Sequence, residues 1–183
     1  MPLTRGSINI EGDFIETGVL AGGMSVLMMA LLSCMDSEKK HFMADSWSGL
    51  PPPKDANMTK FRGGEFHVTY DWFREKMSTI VEEFQHFGWK AQEDWEDYVL
   101  KGWFNETLRQ IPENQRFSFV RLDSDCYDCI YESLTFVYPK LSCGGYVYVD
   151  DYWKYAETRS AVKHYMDEEG LKFVPYSIAE PHF

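Results

Sequence analysis

Cysteine is scarce in this chain. Cys34, Cys126, Cys129 and Cys143 are the only four in 183 residues, too few for a disulfide scaffold at this length and in keeping with a reducing compartment. Long apolar runs are missing as well. The longest, Met24 to Leu32, is too short to span a bilayer and follows no charged leader, so the expectation is a soluble, cytoplasmic protein without a membrane partner. Basic charge is in deficit: 18 Lys and Arg are scattered among 29 Asp and Glu, for a net charge of −11. With no basic stripe to offset that field, a nucleic-acid partner is not expected. The glycine turn at residues 18–23 has neither the G-x-G-x-x-G spacing of a dinucleotide fingerprint nor the Gly-Lys-Ser/Thr of a P-loop, which disfavours pyrophosphate cradling. No internal repeat or low-complexity tract interrupts the chain.

What is present is a core. With 44% hydrophobic and 16% aromatic residues, the chain has the makings of one packed domain over residues 1–183. Apolar periodicity alternates between strand and helix. Strands are expected at residues 12–16, 41–45, 98–101, up to 123, 146–149 and 171–176. Helices are expected near 22–34, 69–87, 127–141 and 156–169, the third closed by Ser142-Cys143-Gly144-Gly145, where a C-cap favours glycine. Residues 46–64, with Pro51-Pro52-Pro53 and Gly63-Gly64, read as a long loop. The fold class is therefore α/β, a doubly wound, mostly parallel Rossmann-like sheet. The Cys126-x-x-Cys129 pair lacks a second pair or a His pair at ligand spacing and reads as a helix start.

Acids close the strands. Phe117-Ser118-Phe119-Val120-Arg121-Leu122 ends in Asp123, and Tyr146-Val147-Tyr148-Val149 ends in Asp150-Asp151. Acids often follow strands as turn residues or caps. If these two strands are parallel neighbours, however, their carboxylates converge at one sheet edge, where open α/β folds bind ligands, and hard oxygen donors there suit a divalent cation such as Mg²⁺. Glu16 ends the first strand beside the glycine turn, and Asp45, followed by Ser46, ends the second, where ribose hydroxyls are commonly bound. A nucleoside-bearing cofactor without pyrophosphate fits that pattern. Phosphoryl transfer would share the acid cluster but lacks a basic residue to receive a phosphate.

Four blocks resemble the macrocin O-methyltransferase family. They are Gly12-Asp13-Phe14-Ile15-Glu16-Thr17-Gly18-Val19, Ala44-Asp45-Ser46-Trp47-Ser48-Gly49-Leu50-Pro51-Pro52, Lys101-Gly102-Trp103-Phe104-Asn105-Glu106-Thr107-Leu108, and Leu122-Asp123-Ser124-Asp125-Cys126-Tyr127 through Tyr138-Pro139-Lys140-Leu141 to Val149-Asp150-Asp151-Tyr152. The resemblance implies a class I methyltransferase sheet and an S-adenosylmethionine- and Mg²⁺-dependent O-methyltransferase of sugar hydroxyls in natural-product biosynthesis. It implies Asp123, Asp150 and Asp151 as metal ligands. Around the cofactor it implies Glu16, Thr17, Gly18, Val19, Gly22, Ser25, Asp45, Ser46, Gly102 and Trp103. The substrate class it implies is a polyhydroxylated or glycoside small molecule. For the proton acceptor, Asp123 and Asp125 are nearest in sequence, with His86 and His164 as remote candidates. Trp47, Trp72, Trp103 and Trp153 are candidates for stacking on a sugar or aromatic ring, though at least two are expected in the core. Family members carry a longer helical segment before the first strand, and only eleven residues precede Gly12 here. A sheet shortened at its N-terminus and missing its last strand, which Pro181 interrupts, is the expectation. A second reading follows from it: a non-catalytic cofactor-binding or partner subunit whose truncated lid leaves apolar surface for self-association as a homo-oligomer.

Overall fold

The computed structural model describes residues 6–53 and 61–177. Five strands, β1 (Asp13–Thr17), β2 (His41–Asp45), β3 (Val99–Lys101), β4 (Phe117–Leu122) and β5 (Leu141–Val149), form one sheet in the order β3-β2-β1-β4-β5. Every pairing is parallel. The chain winds outward from β1 to β3, crosses back, and winds the other way through β4 and β5. The reversal falls between β1 and β4, which pair from Phe14–Phe119 to Thr17–Leu122.

The apolar runs of the central strands follow from their double burial. Phe14, Met43 and Phe119 point to one face, where α1 (Gly23–Cys34) and α2 (Tyr70–His86) cover them with Met28, Leu32, Phe73 and Met77. Ile15, Ala44, Val120 and Leu122 point to the other face. There α4 (Tyr127–Val137) and α5 (Ala156–Glu168) supply Ile130, Leu134, Ala161 and Val162, and the single turn α3 (Phe104–Thr107) adds Phe104. Thr69 caps α2 by accepting the Trp72 N–H, with Asp71 in its first turn, an arrangement that suits the helix dipole.

Three expectations are corrected. Ser142–Gly145 is not a helix cap: α4 ends at Val137, a 3₁₀ turn follows at Tyr138–Lys140, and β5 already begins at Leu141. The register jumps from Phe117–Leu141 to Phe119–Tyr146, so the glycines sit in a bulge of an edge strand, where a residue without Cβ fits equally well. Residues 171–176 form no strand. Leu171 and Phe173 pack on the core, Val174 and Tyr176 stay exposed, and Pro175 removes a donor that a ladder would need. Finally, Cys126 and Cys129 are joined in a disulfide across the first turn of α4, with Cα atoms 5.2 Å apart. The segment around Pro181, where a last strand is expected to be missing, falls mainly on residues 178–183, outside the described residues. Among the described residues, no helix is long and apolar enough to cross a membrane.

Candidate active site

Beyond their last ladder pairs the strands are still tied together. The Gly18 N–H donates to the Ala44 carbonyl, Gly102 N–H to Asp45, Asp123 N–H to Thr17 and Asp150 N–H to Leu122, all at 2.8–2.9 Å. Gly18, Asp45, Gly102, Asp123 and Asp150 thus share one edge. Over it lies a cleft of about 470 Å³, at the topological switch point where such sheets take ligands.

Of the residues picked out from sequence, Gly18, Asp45, Ser46, Gly102, Trp103, Asp123, Asp125 and Asp151 line this cleft. Glu16, Thr17, Val19 and Ser25 are buried and do not reach it. Gly22, in the left-handed conformation at φ 82°, starts α1 where a Cβ would meet the Phe73 ring at 2.8 Å. Asp150 stands beside the cleft on Arg121. His86 and His164 lie on helices α2 and α5, and His164 is occupied with Tyr127 and Glu168. Trp47 is in the core, whereas Trp72 and Trp153 are exposed and outside the cleft lining.

Asp45 works differently from a free ribose acceptor. Its Oδ2 accepts the N–H groups of Val19 and Leu20, and its Oδ1 accepts that of Trp47, each at 2.8 Å. One carboxylate thereby sets the shape of two turns flanking the cleft. Replacing Asp45 by alanine strands three donors, and a loss on the order of 2 kcal/mol in unfolding free energy is expected by urea titration, with Asp45→Asn retaining part of it. An unchanged midpoint would contradict this role.

Backbone strain gathers at the same place. Leu20, Phe66, Asp125 and Asp151 line the cleft with φ of 53°, 58°, 57° and 52°, and Trp47, next to Ser46, has φ 47°. Left-handed conformations cost non-glycine residues of order 1 kcal/mol or more and persist where surrounding structure over-determines them, commonly at functional sites. The loop that follows β2 folds back through Leu50 N–H to Glu65 O and Gly64 N–H to Leu50 O. It brings Pro51, Pro52 and Phe66 over the cleft.

Sequence reasoning missed Arg121. It is 5% exposed, and its guanidinium meets Glu16 Oε1 and Asp123 Oδ2 at 2.7 Å each through Nη1, and Asp150 Oδ2 through Nη2. A charged residue inside a strand apolar on both sides was the available signal. Burial alone would lower its pKa, but the charges of Glu16, Asp123 and Asp150 outweigh it and hold it raised. Three carboxylates on one guanidinium leave negative charge in surplus. Asp123 feels it: burial first, then the charges of Asp150 and Asp125, push its carboxyl up to about 6 against the opposing pull of Arg121.

The sign of the resulting pH dependence is fixed. Asp123 titrates near about 4 when unfolded and about 6 when folded, so the folded chain holds the proton more tightly in between. Its stability contribution is present below pH 4 and is lost as pH rises through 6, a full decline of about 3 kcal/mol, of which about 2 kcal/mol falls between pH 4.5 and 7.0. Urea unfolding in EDTA at pH 4.5 and 7.0, compared with Asp123→Asn, isolates the effect. Parallel pH profiles for the two proteins would contradict it.

A divalent cation fits the donor set in kind: Asp123 and Asp150 already converge on one cation, Arg121, while Asp151 Oδ2 pairs with Lys154 at 2.9 Å. Among the described residues no three His, Cys, Asp or Glu stand gathered tightly enough to hold an ion as they are. A cationic small molecule fits too. Asp45, Glu106, Asp123, Asp125, Asp128, Glu132 and Asp151 face the cleft against the one ammonium of Lys154 among the described lining residues. The Ser124 Oγ, buried in the lining, has no hydrogen-bond partner among them.

The family profile described as Macrocin-O-methyltransferase (TylF) matches residues 6–177. Demethyldecarbamoylnovobiocin O-methyltransferase of Streptomyces niveus is 32% identical over 160 residues, 86% of this chain and 59% of that protein. Mycinamicin III 3''-O-methyltransferase of Micromonospora griseorubida is 31% identical over 169 residues, 88% of this chain and 63% of its own length. This chain thus spans less than two thirds of both. The structure of the O-methyltransferase NovP superposes with a TM-score of 0.78 at 28% identity, covering 97% of this chain and 73% of NovP. Calicheamicin methyltransferase CalS11, at 20% identity and a TM-score of 0.74 over 97% of this chain and 74% of its own, shares the fold.

Proposed function

The chain belongs to the macrocin-O-methyltransferase (TylF) family, as its match over residues 6–177 shows, and we propose that it moves a methyl group from S-adenosylmethionine to a hydroxyl of a sugar or other vicinal-diol small molecule, with a divalent cation such as Mg²⁺. The observation that carries this reading is the meeting of Asp123 and Asp150 on the Arg121 guanidinium beside an acidic cleft at the switch point. When bound, the sulfonium donor supplies the methyl group and the metal, held by Asp123, Asp150 and Asp151, supplies acidification and orientation of adjacent oxygens.

The chain's own residues do the rest. Gly18 and the Asp45-held turns let backbone approach the donor closely, and Trp103 and Phe104 wall the cleft above Gly102. An unactivated alcohol is far too weak an acid to ionise at neutral pH, so its proton needs an acceptor at the moment of transfer. Asp123 and Asp125, which share the cleft, are the candidates. Pro51, Pro52 and Phe66 give the cleft an apolar wall, and positioning carries most of the rate. The same acidic lining favours a neutral glycoside over a phosphate-bearing acceptor.

Calorimetry tests the reading: S-adenosylmethionine, titrated into the chain with Mg²⁺ present, is expected to bind at one site. Labelled methyl transfer to a neutral phenyl glycoside panel, abolished by EDTA, is the companion result. No binding of the donor under these conditions would end the enzyme reading.

A further inference from the structure

Arg121 is more than the counter-ion of a buried acid. Its guanidinium is rooted from below: Glu16 Oε1 takes Nη1 at 2.7 Å, while Glu16 Oε2 accepts the hydroxyl of Ser25 in α1. Glu16 and Ser25 are 1% and 0% exposed, so neither end of that anchor is free to drift. From this fixed root the same fork reaches Asp123 Oδ2 through Nη1 and Asp150 Oδ2 through Nη2. The remaining oxygen of Asp150, Oδ1, accepts the Asp151 N–H at 3.0 Å. A guanidinium is planar, and its donors leave in set directions, so it fixes the angle between the groups it binds, which an ammonium on a flexible stem does not.

We propose that Arg121 is a positioning residue: by holding one oxygen each of Asp123 and Asp150, it presets these two carboxylates, which follow two different strands, for a divalent cation. The inference rests on the cation reading given under Proposed function. It goes further in assigning the geometry of the cation's carboxylate ligands to a residue that does not itself coordinate metal. Without the fork, two carboxylates close enough to share one cation repel each other and swing apart. Every ligand angle would then have to be imposed at the cost of ion affinity. The buried Arg121–Glu16 pair alone gives a competing account in which Arg121 serves only stability.

The two accounts part on metal affinity. Mn²⁺ titrated into the purified chain and followed by electron paramagnetic resonance gives a dissociation constant without any substrate, and circular dichroism melts report folding in parallel. Two variants keep the local net charge and remove the fork: Arg121→Lys, and the double variant Arg121→Met with Glu16→Gln, which takes out both buried charges together. The expected result is one Mn²⁺ per wild-type chain, and at least a tenfold weaker constant in whichever variant melts cooperatively. A folded variant that binds Mn²⁺ within twofold of wild type, with or without a lower melting temperature, overturns the positioning role and leaves the cation reading standing. A wild-type chain that binds no Mn²⁺ at millimolar concentration overturns the cation reading and this inference together.

Discussion

The substitution Asp123→Asn is expected to cut methyl transfer by on the order of a thousandfold while making the metal-free chain more resistant to urea at neutral pH. The two halves of that result have one cause. Asp123 carries its charge against burial and against Asp150 and Asp125, which is why its carboxyl is pushed up to about 6. An asparagine side chain has nearly the same shape and keeps an oxygen to accept from Arg121, so the network of Arg121 with Glu16 and Asp150 survives. What the variant loses is the charge that the fold holds at a cost. In the proposed reaction that charge serves both as a metal ligand and as a candidate proton acceptor, so its loss acts on ion binding and on chemistry together. The measurements are the initial rate at saturating donor and Mg²⁺, and the urea midpoint in EDTA at pH 7.5. Activity within tenfold of wild type would remove Asp123 from the reaction, and a midpoint that falls would remove the strain argument. Asp125→Asn separates the two candidate acceptors. Asp125 lines the cleft, whereas the carboxylates that hold Arg121 are those of Glu16, Asp123 and Asp150, so a comparable loss at Asp125 with Mn²⁺ affinity intact assigns proton transfer to it.

The legible part of this molecule was what depends on periodicity and order. The strand at residues 41–45 coincides with β2, the amphipathic spacing before Phe87 gives α2, and alternation of elements gives the parallel sheet. Acids at strand ends could be placed on one edge because parallel strands deliver their C-termini to the same side. Less legible was everything decided by direction within a residue's reach. Glu16 and Asp45 lie at the C-terminal ends of adjacent strands, one residue before the end of β1 and at the end of β2, yet Glu16 turns to Ser25 and Arg121 while Asp45 turns back onto backbone N–H groups. No pattern of residue types separates those outcomes. The left-handed residues Leu20, Trp47 and Phe66 were invisible for a related reason: turn signals rest on Gly, Asn and Asp, and these three adopt φ > 0 only because their surroundings demand it. Glycine misled in the opposite sense at 144–145, since a cap and a bulge ask for the same freedom. The disulfide of Cys126 and Cys129 was missed by reading the pair as a helix start alone, because a C-x-x-C there places the two sulfurs near each other in either oxidation state.

Gly18→Ala is expected to destabilise the chain by about 3 kcal/mol or more and to abolish donor binding in whatever fraction still folds. Gly18 follows β1 at the switch point with φ 92°, and a Cβ there would lie 2.0 Å from the Asp123 carbonyl oxygen, 2.5 Å from its carbon and 3.0 Å from the Ser124 nitrogen. All three are backbone atoms, so no rotamer change relieves the clash. The end of β1 must separate from the end of β4, breaking the Asp123 N–H to Thr17 bond and carrying Asp123 away from Arg121. One methyl group thereby disturbs the cleft wall at Gly18 and the acid pair at once. Gly23→Ala is the matched control. It opens α1 with nothing within 4 Å of an added Cβ, and there alanine should be neutral or gain roughly 0.5 kcal/mol from helix propensity and a less flexible unfolded chain. Urea titration of both variants, with calorimetric binding of S-adenosylmethionine, reads the contrast. Equal stability for the two would mean that β1 and β4 do not approach each other at Gly18 and Asp123, and the cleft described between them would have to be redrawn.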